Sequence, residues 1–331
     1  MLILGIESSC DDTTAAIVED GKRVLSNIIS SQDDIHSKYG GIVPELASRR
    51  HIENIPVVIA EALAQAEREM KDIDAIAVTC GPGLLGALLV GISTAKGIAW
   101  AEKKPLIPVH HIHGHIVAAD LTQDIKYPNL TLVVSGGHTS LFRVDSPTKI
   151  EELSSTRDDA AGEAFDKVAK MLGLGFPGGP AIEKLADSGN EKNLTFKVPQ
   201  VKGAPLAFSF SGLKTAVRNA MEKSPDPADL SAAFQSTVVK SLVNKTMLAV
   251  EKYGFNEVVI AGGVACNKAL RRGMAEAGEK IGIEVKWPEP IYCTDNGAMI
   301  ATAGYHLYMN NPDNPLFRDF LSLDAVANLK L

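Results

Sequence analysis

The sequence predicts an α/β fold organised as two similar halves, and three observations carry that expectation. Short apolar strands alternate with long amphipathic or small-residue-rich helices along the chain. A unit of strand, small polar turn and returning strand opens the chain at residues 2–18 and recurs at 130–144, a weak internal repeat. At 331 residues, 45% of them hydrophobic and 22% charged, the chain is long enough for two domains with substantial cores.

The first strand, residues 2–6, runs into Glu7-Ser8-Ser9-Cys10-Asp11-Asp12-Thr13-Thr14, and a second strand covers 15–18. Asp20-Gly21 is a hairpin signal before a third strand at 24–29. Residues 45–66 read as an amphipathic helix, 73–79 as a buried strand, and 84–100 as a helix in which Gly86, Gly91 and Gly97 allow close packing. A cluster of turn formers at 121–129 marks a soft boundary. Strand 130–134, the turn Ser135-Gly136-Gly137-His138-Thr139 and strand 140–144 then repeat the opening. Acidic residues at 158–159 suit a helix start. Asp166 falls mid-helix, where a cap has no use, ahead of Pro177-Gly178-Gly179-Pro180. Residues 231–253 form a long helix, and strand 257–260 enters Gly262-Gly263 with Asn267 opening the next helix. Asp295 is expected as the N-cap of the last substantial helix. The predicted division is 1–121, completed by a C-terminal helix at about 300–331, and 122–299 with a helical insertion at 158–230.

Four of the eight histidines lie in His110-His111-Ile112-His113-Gly114-His115. On a helix His111 and His115 share one face, which suits a divalent transition metal, whereas His113 points away. Two imidazoles hold a metal weakly, so a distant carboxylate is needed; the alternative is a pair of exposed or core-satisfied histidines. The four cysteines are scattered without a CxxC pair, which suits free thiols in a reducing cytoplasm. The apolar start carries no basic segment and reads as a strand, and no apolar run reaches membrane-spanning length. A net charge of −7 argues against a general nucleic-acid binder.

Two halves of this kind, facing each other across a nucleotide cleft, are the layout of the actin, sugar-kinase and Hsp70 superfamily, so two actin-like (ribonuclease H-like) subdomains are expected. Taken with Tyr39-Gly40-Gly41-Ile42-Val43-Pro44-Glu45, Gly81-Pro82-Gly83-Leu84, the histidine cluster, Asp159 to Lys167 and Asp295-Asn296-Gly297, the motifs keep a specific order. In them the chain resembles the bacterial tRNA threonylcarbamoyladenosine transferase family, once called an O-sialoglycoprotein endopeptidase, over nearly its whole length.

The resemblance implies transfer of a threonylcarbamoyl group from its adenylate to the exocyclic amine of the adenosine 3′ of the anticodon, in tRNAs reading ANN codons. It implies one iron(II) or zinc ion per subunit on His111, His115 and Asp295. It also implies an adenylate or ATP-type nucleotide at Val133, Val134, Ser135, Gly136, Gly137, Asp166, Gly179, Glu183 and Asn267. Its partners are tRNA, an inactive paralogue of the same fold and a small P-loop ATPase, in the cytoplasm and away from membranes. The chain departs from the family in having His113 where Glu is usual, Asp12 in place of Glu, and Glu183 in place of Asp. An adenine amine is a poor nucleophile, so a carboxylate base is expected, and Asp11 is the candidate. A metallopeptidase is the alternative, but HxxxH without an adjacent Glu lacks a water-activating base. A non-catalytic nucleotide-binding module leaves His111, His115 and Asp295 without a joint purpose.

Overall fold

A computed structural model describes residues 1–331. In chain order the elements are β1 (Leu2–Glu7), β2 (Thr13–Glu19), β3 (Arg23–Ser30), α1 (Asp33–His36), α2 (Pro44–Gln65), β4 (Ala75–Gly81), α3 (Leu85–Glu102), β5 (Leu106–His110) and α4 (His111–Val117). Next come β6 (Asn129–Val134), β7 (Thr139–Ser146), β8 (Lys149–Ser155), α5 (Ala161–Met171), α6 (Gly178–Ala186), α7 (Ser211–Met221) and α8 (Pro227–Tyr253). The chain closes with β9 (Glu257–Ala261), α9 (Lys268–Ile281), β10 (Glu284–Lys286), α10 (Pro290–Cys293) and α11 (Gly297–Asn310). Two compact units result: unit 1 holds Met1–Ile125, Ser146–Lys149 and Pro288–Leu331, and unit 2 holds Lys126–Asp145 and Ile150–Trp287.

Each unit carries a five-stranded mixed sheet, ordered β3-β2-β1-β4-β5 in unit 1 and β10-β9-β6-β7-β8 in unit 2. Counted within each unit, the two orders are the same: third, second, first, fourth, fifth. The first two strands pair antiparallel (β1 with β2, β6 with β7) and the first and fourth pair parallel (β1 with β4, β6 with β9). The repeated strand–turn–strand motif is thus the visible part of a repeated sheet. Strand β8, which closes that second meander, carries exposed and half-buried residues throughout, so it lacks the apolar signal that marked its neighbours.

In unit 1, Leu4, Ile6, Ile17, Ile76, Val78 and Leu106 form a core with Ile55, Val58 and Ile59 of α2 and Ile92 of α3. The buried positions of α2, Ala47, His51, Ile55, Val58, Ile59 and Ala62, repeat at helical spacing and define its inner face. Helix α11 packs backbone to backbone against β1 and β2. A Cβ on Gly5 would lie 2.1 Å from the Gly297 carbonyl oxygen, and one on Gly297 would lie 2.6 Å from the Ala16 nitrogen. This packing brings the C-terminal return into unit 1 from Pro288 onward, earlier than the expected residue 300. In unit 2, α8 is capped at its start by Asp226, whose carboxylate accepts from the Ala228 and Asp229 amides, and at its end by Gly254 in the left-handed region. Phe234 of α8 meets Phe165 of α5 edge to face at 5.2 Å.

Candidate functional site

Unit 1 gathers its polar groups at the carboxyl ends of β1, β4 and β5. His110 ends β5 and caps α4, its Nδ1 accepting from the Ile112 amide at 3.1 Å, so α4 starts with His111 in its first turn. The second ring nitrogen of His110 faces the Leu329 carbonyl at 3.2 Å. His113 Nε2 donates to the Pro147 carbonyl at 2.6 Å. Burial depresses both of these imidazoles to about 4, so they are neutral structural groups. Of the four clustered histidines, then, two face backbone carbonyls and two face Asp295. His113, expected on the opposite side from the pair, is spent on the Pro147 carbonyl.

His111 and His115 meet edge on with ring centroids 4.7 Å apart. Asp295 Oδ1 lies 3.6 Å from His111 Nε2 and 3.2 Å from His115 Nε2, and one ligand atom from each of the three residues lies within 4.8 Å of the others. Neither nitrogen of the buried His115 ring has a hydrogen-bond partner, so its approach to Asp295 lacks hydrogen-bond alignment. An orphaned imidazole beside a second imidazole and a carboxylate is a costly arrangement alone and a fitting donor set for a divalent transition metal. Asp295 does not cap α11. Asn296 does, accepting from the Met299 amide at 2.9 Å, and this frees the neighbouring carboxylate for the site.

Behind His111 lies Glu7, fully buried. Burial works to raise its carboxyl, but His111 overcomes this and the pKa falls. The His111 imidazole is opposed by burial and favoured by Asp295 and Glu7, and is raised to about 9. Sequence reasoning passed over Glu7, and its signal was a carboxylate ending an otherwise apolar strand. Across the loop, burial followed by the Asp295 charge raises the Asp11 carboxyl, and burial, Asp295 and Asp11 raise Asp12 to about 7. This loop is held by His51 of α2, which contacts the Cys10 carbonyl through Nε2 at 3.0 Å and the Thr13 hydroxyl through Nδ1 at 2.8 Å.

Unit 2 presents backbone instead. After Val133 and Val134 end β6, the Ser135 amide donates to the His138 carbonyl at 2.8 Å, while the Ser135 carbonyl accepts from the Gly162 amide at 3.2 Å. Cβ atoms built on Gly136, Gly137 and Gly179 would meet nothing within 4 Å, so the backbone there is open to close approach. Asp166 accepts from the Gly178 amide at 2.7 Å and so fixes the start of α6. Glu183 accepts from the Lys268 amide at 2.7 Å, and Asn267 caps α9 through the Leu270 amide at 2.9 Å while donating to Gln235 at 2.8 Å. Two carboxylates expected as helix caps serve elsewhere. Asp158 accepts from the Ser209 and Ser211 hydroxyls and the Phe210 and Ser211 amides at the start of α7, and Asp159 pairs with Lys167 and Lys214.

Paired units with this strand order and open turns define the class of actin-like ATPase folds, here bearing a His-His-Asp metal-type site. Solved structures of that fold agree: full-length HypF in its phosphate- and nucleotide-bound form superposes with a TM-score of 0.65 at 16% identity, over 94% of this chain and 46% of that one. The (R)-2-hydroxyglutaryl-CoA dehydratase component A of Acidaminococcus fermentans gives 0.56 at 15% identity, over 93% and 99%. Residues 23–302 match the family model of TsaD, tRNA N6-adenosine threonylcarbamoyltransferase. Proteins of that name from Syntrophotalea carbinolica (52% identity, 92% of this chain and 91% of the relative) and Thermosipho melanesiensis (50%, all of both chains) are similar throughout. The chain belongs to the tRNA N6-adenosine threonylcarbamoyltransferase family.

Proposed function

We propose that this chain transfers a threonylcarbamoyl group from threonylcarbamoyl-AMP to the exocyclic amine of the adenosine immediately 3′ of the anticodon in tRNAs reading ANN codons, releasing AMP. The observation that carries the reading is the joining of His111 and His115 with Asp295, far apart in sequence, within a chain of this family. When bound, an iron(II) or zinc ion on these three residues supplies Lewis-acid stabilisation of the charge that develops on the donor. The carbon–nitrogen bond forms at the donor carbonyl as its bond to the phosphate oxygen breaks, and the amine proton leaves to a carboxylate.

Asp11 is the proposed base, its proton affinity raised by burial. Asp12, raised to about 7, stands beside it with a proton affinity matched to neutral pH. The open backbone at Gly136 and Gly137, in the turn that the Ser135 amide closes onto the His138 carbonyl, offers fixed donors to the anionic part of the adenylate, and Gly179 permits its close approach. Asp166, Glu183 and Asn267 shape the adenylate-binding loops through the amides they hold and are the proposed contacts for ribose and base.

tRNA, an inactive paralogue of the same fold and a small P-loop ATPase are the proposed partners, in the cytoplasm. No helix is long and apolar enough to cross a membrane. The outer faces of α2 and α3 expose Ile52, Val57, Leu85, Leu89 and Trp100, the last at 72%, and support the paralogue's placement there. Mass analysis of tRNA nucleosides after incubation with threonine, bicarbonate, ATP and the companion proteins tests the reading. Appearance of threonylcarbamoyladenosine is expected, and its absence under those conditions overturns the assignment.

A further inference from the structure

We infer that Glu7 is a positioning residue for the metal site, fixing the tautomer and orientation of His111 and balancing part of the charge of a divalent ion. The inference rests on the proposed metal role of His111, His115 and Asp295. Glu7 is the last residue of β1, and the parallel register Ile6 to Val78 sets it beside Thr79 of β4. Its Oε2 accepts from the Thr79 hydroxyl at 2.6 Å and lies 3.0 Å from His111 Nδ1, while its Oε1 accepts from the Ser9 amide. The side chain is 0% exposed.

Knitting β1 to β4 and to the Ser9 loop needs a neutral acceptor at most, because Thr79 and the Ser9 amide are neutral donors. A fully buried carboxylate is costly unless a cationic partner answers it, and no lysine or arginine pairs with Glu7. Its answering group is His111. Nδ1 faces Glu7 Oε2 at 3.0 Å and the Ser9 hydroxyl at 3.1 Å. The acceptor-only carboxylate keeps a proton on Nδ1, so Nε2, on the side of Asp295, is the nitrogen that gives up its proton when a metal binds. The two carboxylates then balance the two charges of a divalent ion. His115 has no partner on either nitrogen, so of the two ligand rings it is His111 that the protein orients by hydrogen bonding.

The test uses the full chain stripped with a chelator, with Zn²⁺ affinity measured by competition against a chromophoric chelator. Glu7→Gln keeps the shape and can still accept a hydrogen bond, while the Thr79 hydroxyl can turn to accept from the new amide. A loss of about 10–100-fold in Zn²⁺ affinity is expected. The melting temperature of the metal-free chain should stay near wild type, and the spectrum of the Co²⁺-loaded form should change. Thr79→Val keeps the carboxylate but removes one anchor, and should weaken Zn²⁺ by about two- to tenfold. It decides the matter if Glu7→Gln does not fold, since wild-type affinity in a folded Thr79→Val chain would then overturn the inference. Wild-type Zn²⁺ affinity in folded Glu7→Gln, with or without a drop in melting temperature, makes Glu7 purely structural. Wild-type affinity in His111→Ala overturns the metal site itself, and the inference with it.

Discussion

The two units share a strand order and use its carboxyl edge in opposite ways. Unit 1 arms that edge with titratable side chains: Glu7 ending β1, Asp11 and Asp12 in the next loop, His110 ending β5 and His111 following it. Unit 2 leaves its edge to backbone amides and glycines at Ser135–Gly137 and Gly262. The formal charges divide likewise. Unit 1 has 13 basic and 22 acidic residues, net −9; unit 2 has 20 and 18, net +2, which together restore −7. A duplicated fold fixes where a site can form, and the side chains at that edge decide whether it suits a cation or an anion.

The largest effects should come from removing the feature that unit 1 has and unit 2 lacks. His111→Ala, His115→Ala or Asp295→Ala should abolish metal binding and lower turnover by about a thousandfold. His113→Ala should retain metal, because that ring serves Pro147. Elemental analysis beside a turnover assay checks this, and metal loss in the His113 variant would place a ligand on the wrong side of α4.

The next effect concerns stability in the same unit. Asp12 has a pKa raised to about 7 from an ordinary 3.8, so folding favours its protonated form. Its ionisation costs nothing below pH 3.8, and the cost grows as pH rises and is complete above pH 7. In the metal-free chain, Asp12→Asn should therefore add about 2–4 kcal/mol above neutrality and nothing near pH 4. Denaturant melts at the two pH values measure it. An equal change at both pH values would remove the electrostatic explanation.

In unit 2 the matching variants should leave the metal alone. Asp166→Ala and Asn267→Ala should weaken a non-hydrolysable adenylate analogue by about ten- to hundredfold by calorimetry, with metal content intact. Asn267→Ala should also cost about 1 kcal/mol of stability as a lost cap. Wild-type affinity in both would confine these residues to holding α6 and α9.

The smallest effect tests the charge difference. Arg49 and Arg50 of unit 1 pair with Glu45 and Glu53 in their own helix, and His51 is buried, so that basic stretch is cancelled locally. Lys268 and Arg272 of unit 2 are exposed. Gel-shift titration of tRNA should show a loss of about three- to tenfold for Lys268→Ala with Arg272→Ala, and a salt slope shallower by about two. Arg49→Ala with Arg50→Ala should change little. The isolated chain should bind tRNA weakly at physiological salt and more tightly with its partners; tight binding alone would reverse the charge argument.

By itself the sequence determined the opening hairpin of each sheet, the long helices and the placing of His111 and His115 on one helix face. Each rests on a short-range pattern: short, nearly continuous apolar runs for β1, β2, β6 and β7, buried almost throughout, and one helical turn between His111 and His115. It also marked Gly136, Gly137 and Gly179, because glycine pairs at turns are a local signal. Tertiary structure alone decided which neighbour does which work. That Glu7 lies behind His111 and that Asp158 holds the start of α7 both depend on approaches between distant segments. Asp295 joins the histidines because Gly5 and Gly297 let α11 close on β1, a contact with no period and no motif, set by how two backbones pack.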